Sequence, residues 1–112
     1  MPADMEWSPS ASLERLRLRA KLPATIREFF GARSVLEVDT PAFVNHGVTD
    51  VNLDSAEVRC GSRVGFLHTS PEYAMKRLLA AGSGDIYQLC HVVRGDESGR
   101  HHNPEFMLLE LL

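Results

Sequence analysis

The sequence predicts an α+β fold, an antiparallel sheet flanked by helices. Residues 13–30 carry apolar side chains at helical spacing: Leu18, Leu22, Ile26, Phe29 and Phe30. Residues 86–93 and 106–112 are short apolar runs joined by a polar loop, the pattern of two antiparallel strands. Between these features, Thr69-Ser70-Pro71-Glu72 opens a second helical segment. The chain has 112 residues, 44% of them hydrophobic and 24% charged, which fits one folded domain and no more.

In chain order, Ser8-Pro9-Ser10-Ala11-Ser12 is a turn-rich lead-in, with Ser12 placed to cap the first helix. Pro23 lies inside that helix, where it lacks an N–H and meets the Arg19 carbonyl. The pattern therefore allows one kinked helix or two pieces. Gly31 is expected at the left-handed C′ position. Val35 to Val38 reads as a short strand closed by Thr40-Pro41. Residues 45–58 show no period and read as loop with room for one strand, and Val64 to Leu67 as another strand. Pro71 suits the first turn of the second helix, Glu72 complements its dipole, and Tyr73, Met75, Leu78 and Leu79 supply its apolar side as far as Ala81. Gly82-Ser83-Gly84 stops it. Ile86 to Val93 is apolar on both parities, as a strand covered on both faces would be, and Phe106 to Leu112 reads as a second buried strand. The apolar end, Leu108 to Leu112, is expected to be a strand of a larger fold.

Twelve Lys and Arg against fifteen Asp and Glu give a net charge of -3, which argues against a DNA-binding or membrane-surface protein. No apolar run reaches the ~20 residues of a membrane helix, and Met1 to Ser12 is unlike a signal peptide, so a cytoplasmic location is expected. Cys60 and Cys90 match no metal or disulfide framework and are expected to be buried small hydrophobes. His91, His101 and His102 lack the spacing of a metal site, so no protein-held metal is expected.

The loop from Arg94 to Glu105 concentrates the chemistry. Arg94 stands at a strand exit, where a guanidinium is held firmly enough to fork onto a phosphate. Glu110 shares a strand face with Phe106. A carboxylate within an apolar strand needs a partner, either an Arg of its own fold or a cationic ligand group. The alternatives are plain: a charged loop is often only solvated, and the Arg15, Arg17 and Arg19 face fits solvent as well as RNA.

Together these segments resemble the lysyl subgroup of the class II aminoacyl-tRNA synthetases. Ile26-Arg27-Glu28-Phe29-Phe30 with Val35-Leu36-Glu37-Val38-Asp39-Thr40-Pro41 resembles motif 1, and Thr69 to Leu78 the segment after it. Arg94 through Glu110, with Gly99-Arg100-His101-His102-Asn103-Pro104-Glu105-Phe106, resembles motif 2. The short lead-in before the helix is similar to that of the branch that joins (R)-β-lysine to a lysine of translation elongation factor P.

The resemblance implies that ATP and lysine or (R)-β-lysine form an aminoacyl-adenylate, which an amine of elongation factor P then attacks. Arg94 would be the catalytic residue, holding the α-phosphate. Gly95, Asp96, His102 and Asn103 would meet ATP, and Phe106 would stack on adenine. Ser70, Pro71, Glu72 and Glu110 would receive the amino acid. A homodimer through the motif 1 helix is implied. So is Mg²⁺, with ligands in a later part of the domain beyond residues 1–112, where motif 3 is also expected. The sequence departs from the family at Gly95-Asp96, where Asn-Glu is usual, at Leu111-Leu112, where aromatic residues are usual, and at Pro23. The Gly95-Asp96 and Leu111-Leu112 departures favour one rival, an inactive fragment serving as a dimerisation or interaction module; a tRNA-binding remnant of a lysine-tRNA ligase is a second, weakened by the lack of a basic surplus.

Overall fold

A computed structural model describes residues 7–47, 55–95 and 103–112. It divides into two compact units, residues 1–33 and 34–112.

The first unit holds helix α1, Leu13–Gly31. The Ser12 side chain accepts a hydrogen bond from the Arg15 backbone N at 3.1 Å, the cap the sequence foresees. Pro23 does not divide the helix: α1 runs through it, forgoing only the bond that the Arg19 carbonyl would accept. Gly31 is not the C′ residue. It is the last helical residue, Ala32 caps the helix, and the left-handed turn falls on Ser34 (φ 57). Of the apolar stripe, Phe30 is buried, while Leu18, Leu22 and Phe29 are exposed.

The second unit carries two three-stranded sheets. In the first, β1 (Leu36–Glu37) lies parallel to β5 (Ile86–Val93), and β5 pairs antiparallel with β6 (Glu105–Leu111). In the second, β4 (Arg63–Leu67) is central between β2 (Phe43–Val44) and β3 (Glu57–Cys60). Helix α2 (Glu72–Ala80) connects the second sheet to the first. The strand foreseen at Val35 to Val38 is thus shorter in the ladder, although Val38 N still donates to the Tyr87 carbonyl at 2.9 Å. β3 begins at the end of the 45–58 stretch that has room for one strand, and β2, before that stretch, is a strand the sequence does not announce; residues 48–54 between them lie outside the described residues.

The core of this unit is small: Met75, Ile86, Tyr87 and Val92 are its buried hydrophobic side chains, with His68, Thr69 and Gln88 as buried polar ones. Met75 is the buried residue of α2, whereas Tyr73 and Leu79 face solvent, so the apolar side foreseen for this helix narrows to Met75 and the half-buried Ala74 and Leu78. Pro71 occupies the N-cap rather than the first turn, and the Ser70 hydroxyl accepts from the Glu72 backbone N at 3.2 Å. Beyond α2, Gly82 (φ 94) and Gly84 (φ 76) take the left-handed turns that bring the chain into β5.

β6 is not a buried strand. Its odd residues are exposed and its even residues half-buried. Ile86 and Leu112 exchange both backbone bonds, at 2.8 and 3.0 Å, and Arg94 N donates to the Pro104 carbonyl at 2.8 Å. Even-numbered residues therefore carry the β5–β6 ladder, and Glu105, Met107, Leu109 and Leu111 turn their backbone groups to an edge with no strand partner among the described residues. The cysteines depart from expectation too: Cys60 is exposed beside the Gly61-Ser62 turn, and Cys90 is only half-buried.

Candidate functional site

The even-numbered residues of β5 and β6 share one face of the sheet. Val92 pairs with Phe106, Cys90 with Leu108, and Gln88 with Glu110. Arg94 continues this parity just past β5. Its guanidinium carbon lies 5.2 Å from the Phe106 ring centroid, and its Nε donates to the Thr69 carbonyl at 3.0 Å. That bond ties the strand exit to the entry of α2, so Arg94, Phe106, Thr69 and Ser70 come together from segments far apart in sequence. The terminal nitrogens of the Arg94 fork have no partner among the described residues, the condition in which a fork can grip an oxyanion.

His68 fixes the same junction from the other side. Its buried ring donates through Nε2 to the His91 carbonyl at 2.6 Å, and its own carbonyl accepts from Val93 N at 3.1 Å. His68 Nδ1, Thr69 Oγ1 and Gln88 Nε2 are buried with no hydrogen-bond partner among the described residues. A groove of about 450 Å³ opens beside the junction, with His68, Thr69, Ser70 and Pro71 in its wall.

Glu72 is half-buried at the start of α2 and accepts from Lys76 Nζ at 2.8 Å. This hydrogen bond and the charge of Glu72 hold the Lys76 ammonium above its usual range. Glu110, expected to be buried, is half-buried on the shared face. It lies four residues from Phe106, or about 13 Å along an extended strand. Burial pushes the Cys90 thiol above its ordinary value of 9.0. The Gln88 side chain pulls it down, and the Asp39 and Glu110 carboxylates push it up.

Of the residues named from sequence, Arg94 and Phe106 are in contact, and Ser70 and Pro71 adjoin them through Thr69. Glu110 lies farther along the same face. Gly95 and Asn103 are exposed on either side of the loop. Asp96, His101 and His102 lie outside the described residues. Among the described residues, no three His, Cys, Asp or Glu side chains converge as metal ligands. No helix there is long and apolar enough to cross a membrane. Sequence reasoning missed Thr69, which acts through a backbone carbonyl, and Gln88, a polar residue within the apolar run of β5.

The chain spans about a third of the length of the curated relatives it matches. It is 56% identical over 110 residues to an elongation factor P–(R)-β-lysine ligase from Erwinia tasmaniensis, covering 93% of this chain and 34% of that protein. A ligase of the same name from Pasteurella multocida is 54% identical over 110 residues, with the same coverage of 93% and 34%. The fold is similar to that of asparaginyl-tRNA synthetase from Pyrococcus horikoshii, solved with asparaginyl-adenylate. The TM-score is 0.75 at 22% identity, over 86% of this chain and 22% of that one. Residues 4–112 match the tRNA synthetases of class II (D, K and N), and the chain belongs to that family.

Proposed function

We propose that this chain forms part of an ATP-dependent ligase that activates lysine or (R)-β-lysine as an aminoacyl-adenylate for transfer to a lysine of elongation factor P. The observation that carries the proposal is Arg94, held through Nε by the Thr69 carbonyl and packed beside Phe106, with its terminal nitrogens left for a ligand. The Phe106 ring offers an apolar face to adenine, and the Arg94 fork meets the α-phosphate and the charge that develops there during attack. Glu110 and Glu72 supply negative charge for the ammonium groups of the amino acid, with Ser70 and Pro71 at the wall.

Gly95 and Asn103 would meet the nucleotide from either end of the loop, and Asp96 and His102 would complete that set. Magnesium accompanies ATP as its counter-ion, and no step is assigned to it on the residues described. The shared names of the 52–56% identical relatives support elongation factor P as acceptor. The exposed stripe of α1 supports a homodimer built on that helix. The net charge of -3 disfavours tRNA as the acceptor.

Calorimetric titration with Mg-ATP tests the reading. Binding to the chain that weakens by roughly tenfold or more in Arg94→Ala is expected, since a charge-assisted fork is lost. Equal binding by both proteins, or none by a folded chain, overturns it. A second reading, an interaction module, draws on the β6 edge, without a strand partner among the described residues, and its exposed Met107, Leu109 and Leu111. Light scattering that shows a monomer which ignores a full-length relative removes that reading.

A further inference from the structure

We infer that the groove between α2 and the second sheet is a binding site for a small organic carboxylate, an anionic head on an apolar or aromatic body. The inference does not rest on the ligase reading. Arg94, Phe106, Glu72 and Glu110 are not in the groove's walls, which share only Ser70 and Pro71 with the proposed amino-acid site. Its volume of about 450 Å³ is that of an ordinary small-molecule site.

The walls follow from local periodicity. Arg63, Gly65 and Leu67 alternate onto one face of β4, and Gly65, having no side chain, leaves the space in which the Phe43 ring lies. Phe43, Val44 and Leu67 make this wall apolar. Opposite them on α2, Tyr73 and Arg77 stand four residues apart with Ala74 between, away from the pair that Glu72 forms with Lys76. A fully hydrated ion gains little from such walls, whereas an apolar body gains by leaving water.

The charge in the groove has one sign. Among the described residues its walls hold two arginines and no Asp or Glu, although the chain as a whole has a net charge of -3. Apolar walls of low dielectric focus a field of that kind on an anion. Arg63 is already oriented: its Nη2 donates to Asn45 Oδ1 at 2.6 Å, and its guanidinium carbon lies 5.3 Å from the Phe43 ring centroid. Its other N–H groups, and the whole Arg77 guanidinium, have no partner among the described residues. A guanidinium only donates, and a carboxylate only accepts. The Ser70 hydroxyl accepts from the Glu72 backbone N and keeps its own proton to donate. A cationic head would meet two like charges here, and a neutral one would leave both arginines unpaired.

Titration of the chain with cinnamate, followed by backbone amide NMR, tests the inference. Cinnamyl alcohol and cinnamylamine carry the same body with no charge or the opposite one. Cinnamate should shift the Leu67 and Ala74 amides and bind roughly tenfold or more tightly than the alcohol, with the amine weaker still. Arg63→Met should lower cinnamate affinity by roughly tenfold, and Arg77→Met, at an exposed helix position, by roughly threefold. Arg77→Met decides the matter if Arg63→Met does not fold. Arg94→Ala should leave cinnamate binding unchanged, and a loss there would place the anion on Arg94 and overturn the inference. Equal binding of acid and alcohol, unchanged affinity in a folded Arg77→Met chain, or no saturable shift at all would overturn it too.

Discussion

The Nε of Arg94 donates to the Thr69 carbonyl at 3.0 Å, so the residue at the exit of β5 is held by the backbone that leads into α2. This anchor uses the one guanidinium nitrogen that a phosphate fork does not need. Arg94→Lys keeps the charge but has neither Nε nor the planar fork. The expected outcome is a loss of about 1 kcal/mol of stability for the missing bond together with a fall of roughly tenfold or more in Mg-ATP affinity. Thermal melts and calorimetry on the same protein check both. Full ATP affinity in the lysine variant would show that point charge alone suffices.

Gly65 packs where no side chain fits. A Cβ built there would lie 2.6 Å from the Phe43 ring and 2.6 Å from the Val44 carbonyl oxygen. Because backbone is involved, the strain is not relieved by a rotamer change. Gly65→Ala is expected to cost about 1–3 kcal/mol, read as a lower midpoint in urea. An unchanged midpoint would mean that β2 moves aside freely.

The two thiols should part company with alkylating reagents. Cys60 is exposed, while burial lifts the Cys90 thiol above 9.0. The thiolate is the reactive form, so at pH 8 iodoacetamide should label Cys60 first. Cys90 labelling should accelerate only as the pH rises past 9.0. Mass spectrometry of digests taken over time follows each site. Equal rates at pH 8 would contradict the difference in environment.

The ion pair of Lys76 with Glu72 carries a signed pH dependence. The ammonium is favoured in the folded chain, so its contribution is fully present below the ordinary lysine value of 10.5 and fades as the pH rises through the raised one. Lys76→Gln should be less stable than the parent at neutral pH and indistinguishable from it in strong alkali. Both groups are about half exposed, so salt should narrow the difference. Urea melts at neutral and alkaline pH read it, and a gap that widens in alkali would reverse the sign.

The edge of β6, which has no strand partner among the described residues, predicts association of the isolated chain. Met107, Leu109 and Leu111 are 37%, 41% and 53% exposed, in alternate positions whose backbone groups face the same edge. A strand edge without a charge in its middle invites pairing. Leu109→Lys places one there and should reduce self-association of the isolated chain by light scattering, with no loss of folded signal.

Much of this architecture is legible in the residues, and the exceptions have causes. β5 starts and ends as read because Gly84 and Arg94 bound an apolar run, and α1 starts as read because Ser12 is a cap of the right type. The helix ends later than Gly31 implied because Ser34, not a glycine, takes the left-handed turn. β2 escapes notice because a two-residue strand has no period, and β3 is foreseen only as room for one strand because it turns Glu57 and Arg59 to solvent. The burial of β6 was overestimated because an apolar composition does not say whether a neighbouring strand is present. Within the site, Arg94 and Glu110 stand out as charges at the end and in the middle of apolar strands. Thr69 does not, since any residue type supplies a carbonyl. Gln88 carried a signal, a polar side chain inside β5, but an uncharged amide draws less notice than a carboxylate.

The parallel pairing of β1 with β5 sets an order of events during folding. Leu36 meets Ile86 across fifty positions of chain, whereas β3 and β4 are joined by the two-residue Gly61-Ser62 turn. Closing a long loop costs entropy before any contact repays it, so the β3–β4 hairpin gains its bonds early and β1 waits for β5. Pulse-labelled hydrogen exchange should then find Val58 and Gly65, which face each other in the bonded parity of that hairpin, protected before Leu36 and Val38, and the reverse order would refute it. A ribosome making this chain would release Leu36 long before its partner existed. The segment that leads from α1 into the sheet would spend that interval as an unpaired strand.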